Sequence, residues 1–315
     1  MRAHKRMYPF NIFQSAKAFK PETKILFIIL CILLCLYAFS FFPRSSQPDV
    51  FSSCLVLEQD IREVAEISFS IPNKAEPTEM GKMKLSKSGD RFYFKTANGR
   101  YPVRAEIINR FFSALSANRS FLTVSAHPHH YSDYAINDEQ ATRITFIRND
   151  KTVLADLFFG MTDTIGVSRY VRTGRSIKVF LIDDVFEPFL TVAAPFWLDM
   201  QVYAALFRGS SIQGLEYGKN TAIRGETNES DFRALELFLE KLSCIDVYNA
   251  PALQTPQTIR VRLNLGDGYS LHLSFSPLQS GDYVFFDSRS PNVYLMSGYT
   301  CAQLIRRIEA VTAER

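Results

Sequence analysis

The motifs that carry catalysis are what this 315-residue sequence lacks. It has no G-x-S-x-G elbow, no P-loop, no G-x-G-x-x-G and no H-E-x-x-H, so the signatures of serine hydrolases, nucleotide cradles, dinucleotide folds and zinc proteases are missing together. Its five cysteines form no C-x-x-C or Cys/His spacing, which removes a zinc site of that kind. Charge of one sign is also scarce. The chain carries 36 Lys plus Arg against 32 Asp plus Glu, a formal +4, and six of those bases (Arg2, Lys5, Arg6, Lys17, Lys20, Lys24) stand in the first 24 residues against Glu22 alone. The rest is close to neutral and offers no electrostatic footprint for nucleic acid. With 47% hydrophobic residues there is enough apolar material for real cores, and a wholly disordered chain is excluded.

One long apolar run is present. Residues 25–42 contain no charge, and as a helix they would cover about 27 Å at about 1.5 Å per residue, against a hydrocarbon core of about 30 Å. The reading is a transmembrane helix at 25–42, after a cytoplasmic basic tail at 1–24 and before a spacer at 43–63. The positive-inside rule then places a single-pass protein in the cytoplasmic (inner) membrane, N-terminus inside, with everything C-terminal of the helix extracytoplasmic or periplasmic. A cleaved signal peptide using Ala38-Phe39-Ser40 is the rival reading; the long basic lead and the apolar Phe41 and Phe42 count against it. Cys54, Cys244 and Cys301 would lie in an oxidising compartment, with Cys244 and Cys301 either bridged or buried as thiols.

Beyond the spacer the pattern turns to alternating apolar and polar residues. Strands are predicted at 67–71, 91–96, 143–148, 153–159, 168–172 and 178–182, with a two-residue turn of positive φ at Asn149-Asp150. Before the last four of these, Ile107, Ile108, Phe111, Phe112 and Leu115 recur at helical spacing after Pro102. The same order returns later. A helix face of Phe232, Leu235, Phe238, Leu239 and Leu242, with Ser230 as N-cap, precedes strands at 259–265, 269–275, 283–287 and 292–296 and a closing helix marked by Leu304, Ile305, Ile308 and Val311. Matching segments of the two series are offset by 115, 113 and 114 residues. The fold class expected is therefore α+β: the transmembrane helix, then two repeated units of amphipathic helix plus antiparallel sheet at 64–194 and 212–315, joined by a linker at 195–211 that holds the one tryptophan, Trp197.

Candidate chemistry is thin. His127, His129 and His130 sit within four residues, but the intervening Pro128 spoils a regular ligand face, and a polar loop is the better reading. Asp183, Asp184 and Glu187 could serve as paired carboxylates, yet following an apolar strand they read as a helix N-terminus. The segment from Gly160 to Gly166 lacks the Lys-Ser/Thr of a phosphate loop. Phe92, Tyr93 and Phe94 read as sheet core and rim. No catalytic, cofactor-binding or metal-binding residue is assigned, no cofactor is called for, and an enzyme is not expected.

The succession ending at Leu115, then Tyr134-Ala135-Ile136, Ile144-Thr145-Phe146-Ile147, Leu157-Phe158-Phe159-Gly160, Arg169-Tyr170-Val171-Arg172 and Val179-Phe180-Leu181-Ile182 resembles an uncharacterised single-pass envelope family, a domain of unknown function, encoded beside gliding-type ABC transporters. The resemblance covers about residues 82–217. Where that family tends to have Tyr-Gly-Leu, this chain has Ala135, which questions a tight turn there. The resemblance implies a membrane-held extracytoplasmic accessory or binding protein whose partners belong to an ABC-type transport or envelope complex. The alternative is a cell-envelope hydrolase using carboxylates brought together by folding.

Overall fold

A computed structural model describes residues 21–41, 49–72, 80–250 and 255–313. The expected tail before residue 21, the last residue of the expected helix at 42 and the first six residues of the expected spacer, 43–48, lie outside them. The chain forms two compact units, Met1–Asp49 and Val50–Arg315. In the first, helix α1 spans Pro21–Phe41, and Phe27, Ile28, Leu33 and Leu34 are among its exposed apolar side chains. The expected transmembrane helix is corrected: among the described residues no helix is long and apolar enough to cross a membrane. The uncharged part of α1, from Ile25 to the helix end at Phe41, covers about 26 Å at about 1.5 Å per residue, short of a core of about 30 Å.

The second unit opens with β1 (Val50–Ser53), α2 (Glu58–Arg62), β2 (Glu66–Pro72), β3 (Met80–Ser88), β4 (Arg91–Lys95) and β5 (Arg100–Pro102). Helix α3 (Ala105–Ser116) and β6 (Arg119–Ser125) precede the meander β7 (Thr142–Ile147), β8 (Val153–Thr162), β9 (Ser168–Thr173) and β10 (Val179–Asp183). Two short helices, α4 (Ala194–Trp197) and α5 (Ala204–Phe207), lead to β11 (Ile212–Tyr217), β12 (Asn220–Ile223), α6 (Glu229–Glu240) and β13 (Asp246–Val247). A second meander, β14 (Ile259–Leu265), β15 (Ser270–Pro277), β16 (Tyr283–Asp287) and β17 (Val293–Met296), ends at α7 (Gly298–Thr312).

These strands form two sheets, ten strands in the order β1-β6-β10-β9-β8-β7-β2-β3-β4-β5 and seven in the order β12-β11-β14-β15-β16-β17-β13. The α+β expectation is thereby corrected: the protein is mostly β-sheet. Strand outweighs helix among the described residues because the sequence alternates with period two through both meanders, and alternation buries one face of a strand rather than one stripe of a helix. Strand β7 illustrates this, with Ile144 and Phe146 fully buried and Arg143 turned to solvent. Run from β6 to β3 and from β13 to β12, the two sheets have the same order, each with a helix inserted before its return strand.

Burial concentrates between the elements. Phe111 of α3 packs its ring 6.1 Å from Phe69 of β2, 6.0 Å from Phe146 of β7 and 5.6 Å from Trp197, so the helix is pinned over the middle of the first sheet. Trp197 is fully buried and donates its indole N–H to the Thr191 carbonyl at 2.8 Å. In the second sheet Leu235 and Leu239 of α6 and Leu304 and Ile308 of α7 are fully buried against the same continuous core. Helix α6 begins at Glu229 with Asn228 at its N-cap position, two residues before the expected Ser230. Arg224, held by Glu229 and Glu236 at 2.6 Å each, fixes that earlier start.

Candidate functional site

Residues 198–201 run as a short extended segment between the two sheets. Leu198 bridges Val103 on one side, and Gln201 bridges Ser243 on the other. The Arg104 N–H donates to the Trp197 carbonyl at 2.9 Å, and the Cys244 N–H donates to the Met200 carbonyl at 3.0 Å. The seam is clasped again at β5 and β17. The Tyr101 hydroxyl donates to the Val293 carbonyl at 2.7 Å and accepts from the Val293 N–H at 2.8 Å. Beside it the Asn292 side chain imitates a strand partner: its Oδ1 accepts from the Arg100 N–H at 2.9 Å, and its Nδ2 donates to the Arg100 carbonyl at 3.2 Å. Gly99 makes this approach possible, because a Cβ there would lie 2.2 Å from the Asn292 Oδ1.

Along this seam lies a cleft of about 900 Å³. Its floor is apolar and buried: Phe92, Val103, Ile108, Leu198, Met200 and Cys244. Its rim is polar and of both signs, with Arg62, Lys87 and Arg91 facing Asp90, Glu106 and Asp199, and with Asn109, Gln201 and Ser243 between. Arg104 occupies the wall. Its Nη2 donates to the carbonyls of Pro195, at 3.1 Å, and Phe196, its Nε stands 4.0 Å from Glu106 Oε1, and that buried Nε has no hydrogen-bond partner among the described residues. Burial also pushes the Cys244 thiol well above its ordinary value, so it contributes as a small apolar group and not as a thiolate. An apolar floor and a rim of both charges suit recognition of a mostly apolar group with polar edges.

The residues singled out by sequence lie elsewhere. The rings of His127, His129 and His130 do cluster, the first two stacked with centroids 5.4 Å apart and the last two tilted at 4.1 Å, and His130 Nδ1 meets Asp133 at 2.8 Å. Among the described residues, however, no group of three or more His, Cys, Asp or Glu is placed to hold a metal ion. Asp183 and Asp184 are drawn apart by separate arginines, Arg119 at 2.6 Å and Arg169 at 2.7 Å. Asp184 also accepts from the Phe186 and Glu187 N–H groups, capping the 3-10 turn Glu187–Phe189. In the loop from Gly160, Asp163 Oδ1 accepts from the N–H groups of Gly166, Val167 and Ser168, which closes a hairpin. Phe92 is core, while Tyr93 lies outside beneath the Arg100 guanidinium at 3.8 Å. The positive φ near Asn149-Asp150 falls instead on Lys151, at 68°. All five cysteines are free, so no Cys244–Cys301 bridge is present.

The clasp and the cleft were not visible in the sequence. Tyr101 and Val293 are 192 positions apart, and the cleft draws on α2, the β3–β4 turn, β5, α3, the connector after α4 and the end of α6. A lone Asn or Arg in such segments carries no periodic signal.

A mostly-β body of two like-ordered antiparallel sheets, clasped along a cleft, is the class of protein that these elements define. Residues 95–243 match the domain of unknown function DUF4340. That stretch begins at the end of β4 and closes at Ser243, so it takes in the α3 wall, Arg104 and the connector. The chain is also similar to an uncharacterized protein of Treponema pallidum (strain Nichols), 26% identical over 252 residues that cover 80% of this chain and 78% of that protein. No solved structure matches. The expected likeness to a domain of unknown function therefore stands.

Proposed function

We propose that this protein is a membrane-attached accessory protein that binds a partner in its seam cleft, and that the partner is a subunit of an ABC-type transport or envelope complex. The observation that carries the binding role is the cleft itself: an apolar floor fixed from both sides by backbone hydrogen bonds and a rim of both charges. Membrane attachment is supported by α1, which is apolar on all its described faces and exposes them; a helix apolar all round needs a non-aqueous environment. A basic lead followed by an apolar helix also has the form of an export signal, which supports an extracytoplasmic body. The link to a transport complex rests on the family resemblance alone.

The hydrolase alternative asks for a carboxyl held above its ordinary range to act as general acid. The carboxylates with a resolved shift, Glu66, Asp150 and Glu229, all lie below that range, and none of them lines the cleft. Affinity purification of the full chain from gently solubilised membranes tests the proposal. Permease and ATPase subunits are expected to co-purify, and to be lost when Met200 is replaced by Arg in the cleft floor. Recovery of the protein by itself contradicts it.

A further inference from the structure

The outer face of the first sheet holds a second depression, of about 420 Å³, lined by Glu66, Lys84, Ser86, Lys87, Lys95 and Lys151. Three ammonium groups, those of Lys84, Lys95 and Lys151, share it with one carboxylate; Lys87 lies at its edge, but it pairs with the buried Phe92 and so directs its side chain to the opposite face of β3. Glu66 is nearly buried and takes Lys84 at 2.8 Å and Lys151 at 3.4 Å. Burial works against its charge, but the hydrogen bonds and charges of Lys84 and Lys151 outweigh that and hold the carboxyl below its ordinary range. Lys87 and Lys95 have no ion-pair partner among the described residues.

Strand register adds to the imbalance. The pairing that sets Leu85 opposite Phe94 sets Lys84 beside Lys95 at the next outward position, and Lys95 pairs directly with Arg100. Three cations thus stand abreast on β3, β4 and β5, where neighbouring strands are about 4.8 Å apart. Like charges directly opposite each other destabilise a sheet, and here one carboxylate offsets only part of the repulsion. Ser86 opens into the same depression. A site whose charge is in excess by about two suits a group that can carry about two negative charges and several acceptor oxygens, which describes a phosphate ester better than a second carboxylate.

We propose that this depression binds a phosphate-ester group, with Lys84, Lys95 and Lys151 supplying the charge, Ser86 a hydroxyl donor, and Glu66 positioning Lys84 and Lys151. Lys87 also lines the seam cleft, but the site requires neither the cleft partner nor membrane attachment.

The test uses the full chain in neutral detergent at fixed ionic strength. The readout is amine-reactive labelling of individual lysines during titration with glycerol 3-phosphate or with soluble dihexanoyl phosphatidylglycerol. Labelling of Lys84, Lys95 and Lys151 is expected to fall at least threefold in a saturable way, while Lys219, in the turn between β11 and β12, is unchanged. The Lys84→Gln/Lys95→Gln double variant, folded by circular dichroism, is expected to bind at least tenfold more weakly. Protection by the lipid alone assigns the group to a headgroup, and protection by both probes assigns it to a soluble ester; either result supports the site. No protection by either probe, or equal protection of Lys219, overturns it.

Discussion

Ala135 holds a left-handed backbone at φ 52° and ψ 39°, a conformation that costs an L-residue about 1–2 kcal/mol and costs glycine nothing. The sequence raised the doubt at this position, since the resembling family tends to place glycine there; the chain keeps the tight turn regardless. What holds it is the next layer of packing. Ile136 is fully buried, its carbonyl accepts from Arg172 at 3.3 Å, and Gly160 lets the loop lie directly on β8. Replacing Ala135 with Gly is expected to stabilise the protein by about 0.5–1 kcal/mol, because glycine's larger unfolded-state freedom takes back about 0.4–1 kcal/mol of the relieved strain. Urea unfolding measures this, and an unchanged or lower midpoint contradicts the strain argument. Gly160→Ala is expected to cost about 3 kcal/mol or more, since its Cβ would sit 2.2 Å from the Tyr134 carbonyl oxygen and 2.4 Å from Ile136 Cγ2.

At the scale of elements, strands whose apolar residues alternate cleanly were legible: β14 and β16 fall at 259–265 and 283–287 as read from the sequence. Strand β3 was missed because only Met83 and Leu85 carry an apolar alternation in its interior, among Lys82, Lys84, Ser86, Lys87 and Ser88. Strands β1 and β13, of four and two residues, are too short for a period to register. The two-sheet order was partly visible in the constant offsets between the meanders. The clasp between β5 and β17 was not, because an Asn side chain standing in for a strand is a tertiary event. That clasp is expected to be energetically real. Asn292→Ala strips both Arg100 backbone groups of their partner and should cost about 2 kcal/mol, and a cycle with Tyr101→Phe should show coupling of at least about 0.5 kcal/mol. Additive effects in urea titrations would mean that the two contacts do not act as one clasp.

For the whole molecule, the seam concentrates buried groups that resist ionisation. Burial raises Tyr101, raises Tyr203 further with help from the Asp287 charge, and pushes Tyr294 up to about 12; in the core Cys301 is pushed up to about 12. In the unfolded chain these thiols and phenols lose their protons near their ordinary values, about 9 and 10, while the folded state retains them. The unfolded state then binds fewer protons, so stability falls as pH rises through this range. The urea midpoint is expected to hold to about pH 9 and drop steadily toward pH 12, more shallowly in Tyr294→Phe. A midpoint that is flat to pH 11 would contradict a dry seam.

The proposed binding role depends on the cleft being a place where another molecule sits. A photo-crosslinking amino acid at Asn109, on the exposed rim of that cleft, tests this most directly when the full chain is expressed in its native membranes. The expected result is one discrete adduct with a transport-complex subunit, absent when the same group is placed at Lys219 and abolished by Met200→Arg. No adduct at Asn109, or the same adduct from both positions, would contradict the account.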